Sequence, residues 1–261
     1  MPAIQSAGSL TARAKFSPTE RSGQNDSEIL WQVAEEVAVG ILVNGAPVTV
    51  MMATPANLED LAVGFLLAEG YLDSVPDIRR IRILSTEMGF CVNVAVVGPL
   101  RRKLSGRSME GRSGCGLCGI NALTDVTLTL PHRKRPALHA EAVTAAFGAL
   151  TSHQPMNAAN HSVHAAGFAT RDGVIRWARE DVGRHNALDK LIGTLKRNHI
   201  DVNSGFAVMT SRCSFELVQK AAIAGLGGLA TLSAPTALAL EMAHHAGLPL
   251  ASRAPGGVAL F

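Results

Sequence analysis

The stretch Phe206-Ala207-Val208-Met209-Thr210-Ser211-Arg212-Cys213-Ser214-Phe215-Glu216-Leu217-Val218 decides the fold, because an apolar strand signal over 206–210 passes through hydroxyls and an arginine into a helix over 214–226. The same order repeats downstream, with a strand over Leu229–Leu232 and a helix over Thr236–Ala246. Upstream, a strand pair over His164–Thr170 and Val174–Trp177 precedes a helix over Val182–Leu195, whose Leu188, Leu191, Ile192 and Leu195 share one face. A strand over Val126–Leu130 and a helix from about His139 to Leu150 open the series. Strands alternating with helices predict a layered α/β domain with a partly parallel sheet.

The first hundred residues have a different rhythm. Ile29 to Val43 is rich in β-branched residues, Asn44-Gly45 is a tight-turn signal, and Pro47–Met52 returns as a second strand. Thr54 is the expected N-cap of a helix with Pro55 at its first position; Leu58, Leu61, Ala62, Phe65 and Leu66 keep helical spacing, and Gly70 ends it. Strands over Ile78–Leu84 and Phe90–Val97 complete a small α+β unit. The expected organisation is a disordered tail over 1–27, an α+β domain over 28–112 ending in a basic loop, a thiol loop over 113–119, and the α/β domain over 120–261. No fixed-period repeat is present.

With 261 residues and 47% hydrophobic content, the chain is long enough for one large or two modest cores. No apolar run supplies the roughly 18 residues of a membrane span, and the start of the chain lacks the apolar core of a secretory signal. A soluble, cytoplasmic protein is expected. A formal charge of +3 does not by itself argue for nucleic acid. Four cysteines, with Cys91 and Cys213 isolated, do not form a disulfide framework.

Gly114-Cys115-Gly116-Leu117-Cys118-Gly119 holds the remaining two. Before it, Arg101, Arg102, Lys103, Arg107 and Arg112 face the single acid Glu110, a field that favours a thiolate. The surrounding Gly, Ser and Arg predict a mobile surface loop. A C-x-x-C has three chemical meanings: half a zinc site, a dithiol redox centre, or a nucleophilic sulfur carrier. Beside these stands burial of both cysteines as small apolar groups. For zinc, His139-Ala140-Glu141 is the H-x-E element of zinc deaminases, but it follows the cysteines, and Gly114 replaces the expected proline. Two further polar clusters open helices. Glu180 to Lys190 places Arg184, His185 and Asn186 where free backbone donors attract a phosphate or carboxylate. Ordinary capping by Asp181, with a His185–Asp189 pair, explains the same residues. Ser211, Arg212 and Ser233 stand at strand ends, where α/β sheets collect ligands, so one shared cleft is expected.

These motifs, together with Ala34 to Gly70, make the chain resemble the formate dehydrogenase accessory sulfurtransferase family, FdhD. The resemblance implies a cytidine-deaminase-like core lacking the deaminase zinc site, so that the chain ligates no metal directly, a smaller α/β partner domain and a homodimer. It further implies that persulfide sulfur passes from a cysteine desulfurase to the molybdenum of bis-molybdopterin guanine dinucleotide, activating formate dehydrogenase. Cys115 matches the family's persulfide-bearing cysteine, and Cys118 the second thiol. The family's cofactor segment falls on Arg253, Ala254, Pro255, Gly256, Gly257 and Val258, with Arg253 replacing an aromatic and Val258 a basic residue. Asn160-His161-Ser162 replaces a Thr-Gly-Gly run before His164. A cofactor-binding chaperone without thiol chemistry, and a zinc-dependent deaminase, are the alternatives.

Overall fold

Alternate residues of a strand point to opposite faces, and in the strand over Gly205–Cys213 both sets are buried. Phe206 and Val208 join one core cluster, while Ala207 and Met209 join another on the opposite face. Such a strand must be central. The computed structural model describes residues 9–16, 27–101 and 130–261. The thiol loop over 113–119, with Cys115 and Cys118, nearly all of the basic loop, and most of the strand expected over 126–130 lie outside the described residues.

The first part contains β1 (Ser9–Phe16), β2 (Ser27–Ala34), β3 (Val37–Val43), β4 (Ala46–Ala53), α1 (Leu58–Ala68), β5 (Ile78–Thr86) and β6 (Gly89–Val96). The second contains α2 (Ala140–Leu150), α3 (Pro155–Asn160), β7 (His164–Thr170), β8 (Ile175–Asp181), α4 (Arg184–Arg197), β9 (Gly205–Cys213), α5 (Phe215–Ala224), β10 (Leu229–Pro235), α6 (Ala237–Ala246), β11 (Leu250–Ala254) and β12 (Gly257–Leu260). The fold is mixed α/β. Six strands form one sheet in the order β12-β11-β10-β9-β7-β8, with β9, β10 and β11 parallel and β7 antiparallel to both its neighbours. Core residues of α4, α5 and α6 cover one face, and those of α2 the other. A four-stranded sheet, β4-β3-β6-β5, buries Val39, Ile41, Val92 and Val94 against Leu61 and Leu66 of α1.

Helix α1 also packs on α4, and glycine permits the approach. A Cβ on Gly64 would lie 1.7 Å from the Asp189 carbonyl oxygen, and one on Gly193 1.9 Å from that of Asp60. Backbone therefore meets backbone at the crossing.

Three expectations change. Residues 9–16 do not belong to a disordered tail, because β1 pairs antiparallel with β2 from Ser9↔Ala34 to Phe16↔Ser27. The hairpin leaves Leu10, Leu30 and Trp31 exposed, so backbone pairing rather than burial defines it. Thr54 is not the cap of α1; Asn57, in a left-handed conformation, precedes the helix, and Thr54 is buried elsewhere. Asp181 does not sit at the cap position of α4, which Gly183 occupies. The α3 turn and the β11–β12 hairpin are additional elements.

Gly64→Ala is expected to destabilise the protein by about 3 kcal/mol, since overpacking here moves helices rather than side chains. Gly148→Ala, in open space on α2, should instead be neutral or stabilise by under about 1 kcal/mol. Urea unfolding of the two variants checks the contrast.

Candidate functional site

Strands β8, β9, β10 and β11 point the same way, so their carboxyl ends share one edge of the large sheet. Helices α4, α5 and α6 start from the ends of β8, β9 and β10, so their first turns open toward that edge, that of α6 capped by Thr236 Oγ1, which accepts from Ala239 N. His164, first residue of the antiparallel β7 and paired with Asp181, joins them. The register also places Arg212 beside Ser233, and Ser252 Oγ donates to the Ser233 carbonyl at 3.1 Å. The turn between β11 and β12 thus brings the 253–258 segment to the same edge, with Arg253, Pro255, Gly256 and Gly257 exposed and Ala254 and Val258 half-buried.

Not every residue expected in the cleft is free to bind. Asn186 Nδ2 donates to Asp181 Oδ1 at 2.9 Å and to the Met52 carbonyl at 2.8 Å, and Ser211 Oγ donates to the Arg212 carbonyl at 3.0 Å. Both donors are spent on the scaffold. Arg212 is exposed and Arg184 half-buried at the first turn of α4. His164 Nδ1 lies 3.4 Å from Thr210 Oγ1, and its pKa is lowered by burial and then by Arg184, against the pull of Asp181. His185 is the most perturbed of the group. Burial first, and then the cations Lys220 and Arg184 with His164, push its imidazole down to about 3. Among the described residues its Nε2, Ser214 Oγ and Glu216 Oε2 are buried without a hydrogen-bond partner. All three belong to the opening turns of α4 and α5, where a ligand with both donors and acceptors would satisfy them.

Beneath the edge lies a polar network that the sequence reading missed. Lys190 Nζ, fully buried, contacts Asp181 Oδ2 at 2.6 Å and donates to the Thr54 carbonyl at 2.9 Å. Thr54 N donates to Asp181 Oδ2, and Thr54 Oγ1 accepts from Val182 N. Asp60 of α1 accepts from Arg179, Thr194 and Arg197. Lys220 bonds both Asp189 oxygens at 2.9 Å and pairs with Glu69, so Asp189 serves Lys220 rather than His185. Burial opposes the Lys220 charge, but Asp189 and Glu69 override it and raise its pKa. The missed signal was a lysine or aspartate on an otherwise apolar helix face. Glu180 accepts from Met156 N and Asn157 N, which fixes the start of α3. His139 and Glu141 sit at the start of α2; nearby Ala142 meets Gly173 of the β7–β8 turn, on the sheet edge opposite the cleft.

Fold and site together define a mixed α/β protein in which three helices start from one carboxyl edge of the large sheet. The FdhD/NarQ family profile matches residues 34–259, and the chain belongs to that family. It is 44% identical over 232 residues to the sulfur carrier protein FdhD of Xanthomonas axonopodis pv. citri, covering 87% of this chain and 82% of that one. It is also 44% identical over 223 residues to the protein of the same name from Cupriavidus necator, covering 84% and 77%. A crystal structure described as a formate dehydrogenase accessory protein from Desulfotalea psychrophila superposes with a TM-score of 0.70 at 23% identity, covering 97% of this chain and 96% of that one. That likeness concerns the fold. No helix of the described residues is long and apolar enough to cross a membrane.

The His185 shift carries a pH prediction. Its folded pKa of about 3 lies below the ordinary 6.5, so under pH 6.5 the unfolded chain takes up a proton that the native one refuses. Stability should fall as pH falls through this window, by up to about 1.4 kcal/mol per pH unit from this residue. Denaturant titrations at pH 7 and 5 should show a smaller loss in His185→Gln than in wild type.

Proposed function

We propose that this protein is a sulfur carrier that takes persulfide sulfur from a cysteine desulfurase on Cys115 and delivers it to the molybdenum of bis-molybdopterin guanine dinucleotide, activating formate dehydrogenase. The observation that carries the reading is the 44% identity, over most of both chains, to proteins named sulfur carriers. The described chemistry is compatible with it. Arg184, Arg212, the helix starts and the 253–258 turn suit an anionic pterin nucleotide as cargo, and the unpartnered His185, Ser214 and Glu216 atoms suit its polar edges. The six-stranded sheet with helices on both faces is compatible with deaminase-like layering. A homodimer working in the reducing cytoplasm completes the proposal.

In the loading step the Cys115 thiolate attacks the outer sulfur of the donor persulfide. A new S–S bond forms on Cys115, the donor's S–S bond breaks, and the donor cysteine leaves as thiolate, with no net redox change. Release balances when the Cys118 thiolate attacks Cys115 Sγ: hydrosulfide departs as a ligand for the metal and a Cys115–Cys118 disulfide forms. A cellular dithiol then reduces that disulfide. The basic approach from Arg101 to Arg112 favours the thiolate in the first step.

Incubation with a cysteine desulfurase and cysteine is expected to add one sulfur mass to the peptide containing Cys115, and intact mass spectrometry reads the adduct. Cys115→Ala should abolish it, and an undiminished adduct in the variant overturns the assignment. Formate dehydrogenase activity in cells that persists after serine replaces both thiols would favour a cofactor chaperone instead.

A further inference from the structure

The face of the four-stranded sheet turned away from α1 carries an open apolar trough. Val50, Gly40, Cys91 and Leu84 lie in register across its four strands, with Met52 and Ala38 in the next row. Ala38, Gly40 and Cys91 make the floor, which continues through Leu42 and Asn93 toward Arg82. Val50, Met52 and Leu84 on the two outer strands make the walls, at 45%, 40% and 58% exposure. A Cβ on Gly40 would meet, among the described residues, only Cys91 Sγ at 3.6 Å and the Phe90 carbonyl oxygen at 3.9 Å, both ordinary contacts. The walls stand three strand spacings apart, roughly 14 Å, which admits one α-helix about 10 Å across.

Charge gives the trough a direction. Arg80 and Arg82 extend the β5 wall, both exposed and both without an ion pair or hydrogen bond among the described residues. Glu36 and Glu87 lie near the other end, where Ala38 pairs with Gly89. An apolar surface with unpaired cations on one flank fits a protein helix carrying apolar residues at i, i+3, i+4 and i+7 and acids at one end.

We propose that this trough docks the sulfur-donating protein, which seats an amphipathic helix with its acidic end against Arg80 and Arg82. The proposal rests on the carrier reading above. The donor is the fitting occupant because it must approach the thiols while leaving the cargo cleft open. The trough meets both needs: its β4 wall contacts α4 through Met52 and Asn186, so it borders the cleft without filling it, and the thiol-bearing segment begins just beyond Arg101 of the same unit.

The test compares wild type with an Arg80→Glu/Arg82→Glu double variant and with Gly40→Leu, which raises the floor at a position where a Cβ meets no atom closer than 3.6 Å. Calorimetric titration with a cysteine desulfurase should give a Kd at least tenfold weaker for each variant. Sulfur loading of Cys115 from the desulfurase should fall in parallel, while loading from glutathione persulfide, which needs no docking surface, stays within twofold of wild type. A desulfurase Kd within twofold of wild type in both variants overturns the proposal. So does loss of self-association with desulfurase affinity intact, which would assign the face to a second copy. If wild type takes sulfur from neither donor, the carrier reading fails, and the docking proposal is then judged by the Kd values alone.

Discussion

The ammonium of Lys190 has no solvent exposure and lies between the Asp181 carboxylate and the Thr54 carbonyl. Burial lowers its pKa, and Asp181 opposes that shift. A buried ion pair adds little net stability compared with apolar packing, but removing one partner costs about 3–5 kcal/mol. Its effect is therefore selective: of all the ways a sheet-and-helix unit could lie on α4, one alone satisfies Lys190, Asp181 and Thr54 together. The Gly64–Gly193 crossing makes that alignment reachable, because any side chain there would hold the backbones apart. Asp60, buried at the same junction, imposes a second requirement through Arg179, Thr194 and Arg197.

The junction and the start of α4 share atoms. Asp181 Oδ2 takes the Lys190 ammonium and Thr54 N, while Oδ1 accepts from Gly183 N and Asn186 Nδ2. One carboxylate thus docks the small unit and shapes the first turn of α4. Arg184 and His185 stand on that turn, so their position depends on how the two sheets meet. Asn186 bonds Met52 instead of solvent and ties the end of β4 to the same turn. Polar groups that look like ligand contacts in one dimension prove to be the scaffold that aims the remaining ones.

Much of the architecture was legible because its signals are local. The alternation of buried strands and amphipathic helices from His164 to Ala246 matches β7 to α6, and Asn44-Gly45 makes the turn between β3 and β4. Elements without a burial pattern escaped. β1 rests on pairing with an exposed partner, and β11–β12 runs through Ala, Ser, Gly and Pro with little periodicity. The gathering of strand ends and helix starts along one edge followed from the α/β rule, but the commitments of Asn186 and Ser211 did not, since their partners are distant in sequence or lie on the main chain. Thr54 read as a cap for a similar reason: a threonine before a helix is ambiguous until Asp181, 127 residues away, takes its N–H.

The remaining cysteines bear on where sulfur chemistry can occur. Cys213 is buried at the end of β9, and burial pushes its thiol up to about 12, so it is protonated at neutral pH and a poor nucleophile. Cys91 lies half-buried on β6 opposite Gly40, and among the described residues the other free cysteine, Cys213, is buried at the end of β9. The release step proposed above uses one thiolate to hold the atom and a second to displace it. In this chain only Cys115 and Cys118 are near each other in sequence, and they stand between the last residue of the small unit and the first strand of the large sheet. On either side of them in sequence, Arg101 N donates to the Tyr71 carbonyl of the small unit and Leu130 packs on the core of the large sheet, and the Lys190 junction holds those two units together.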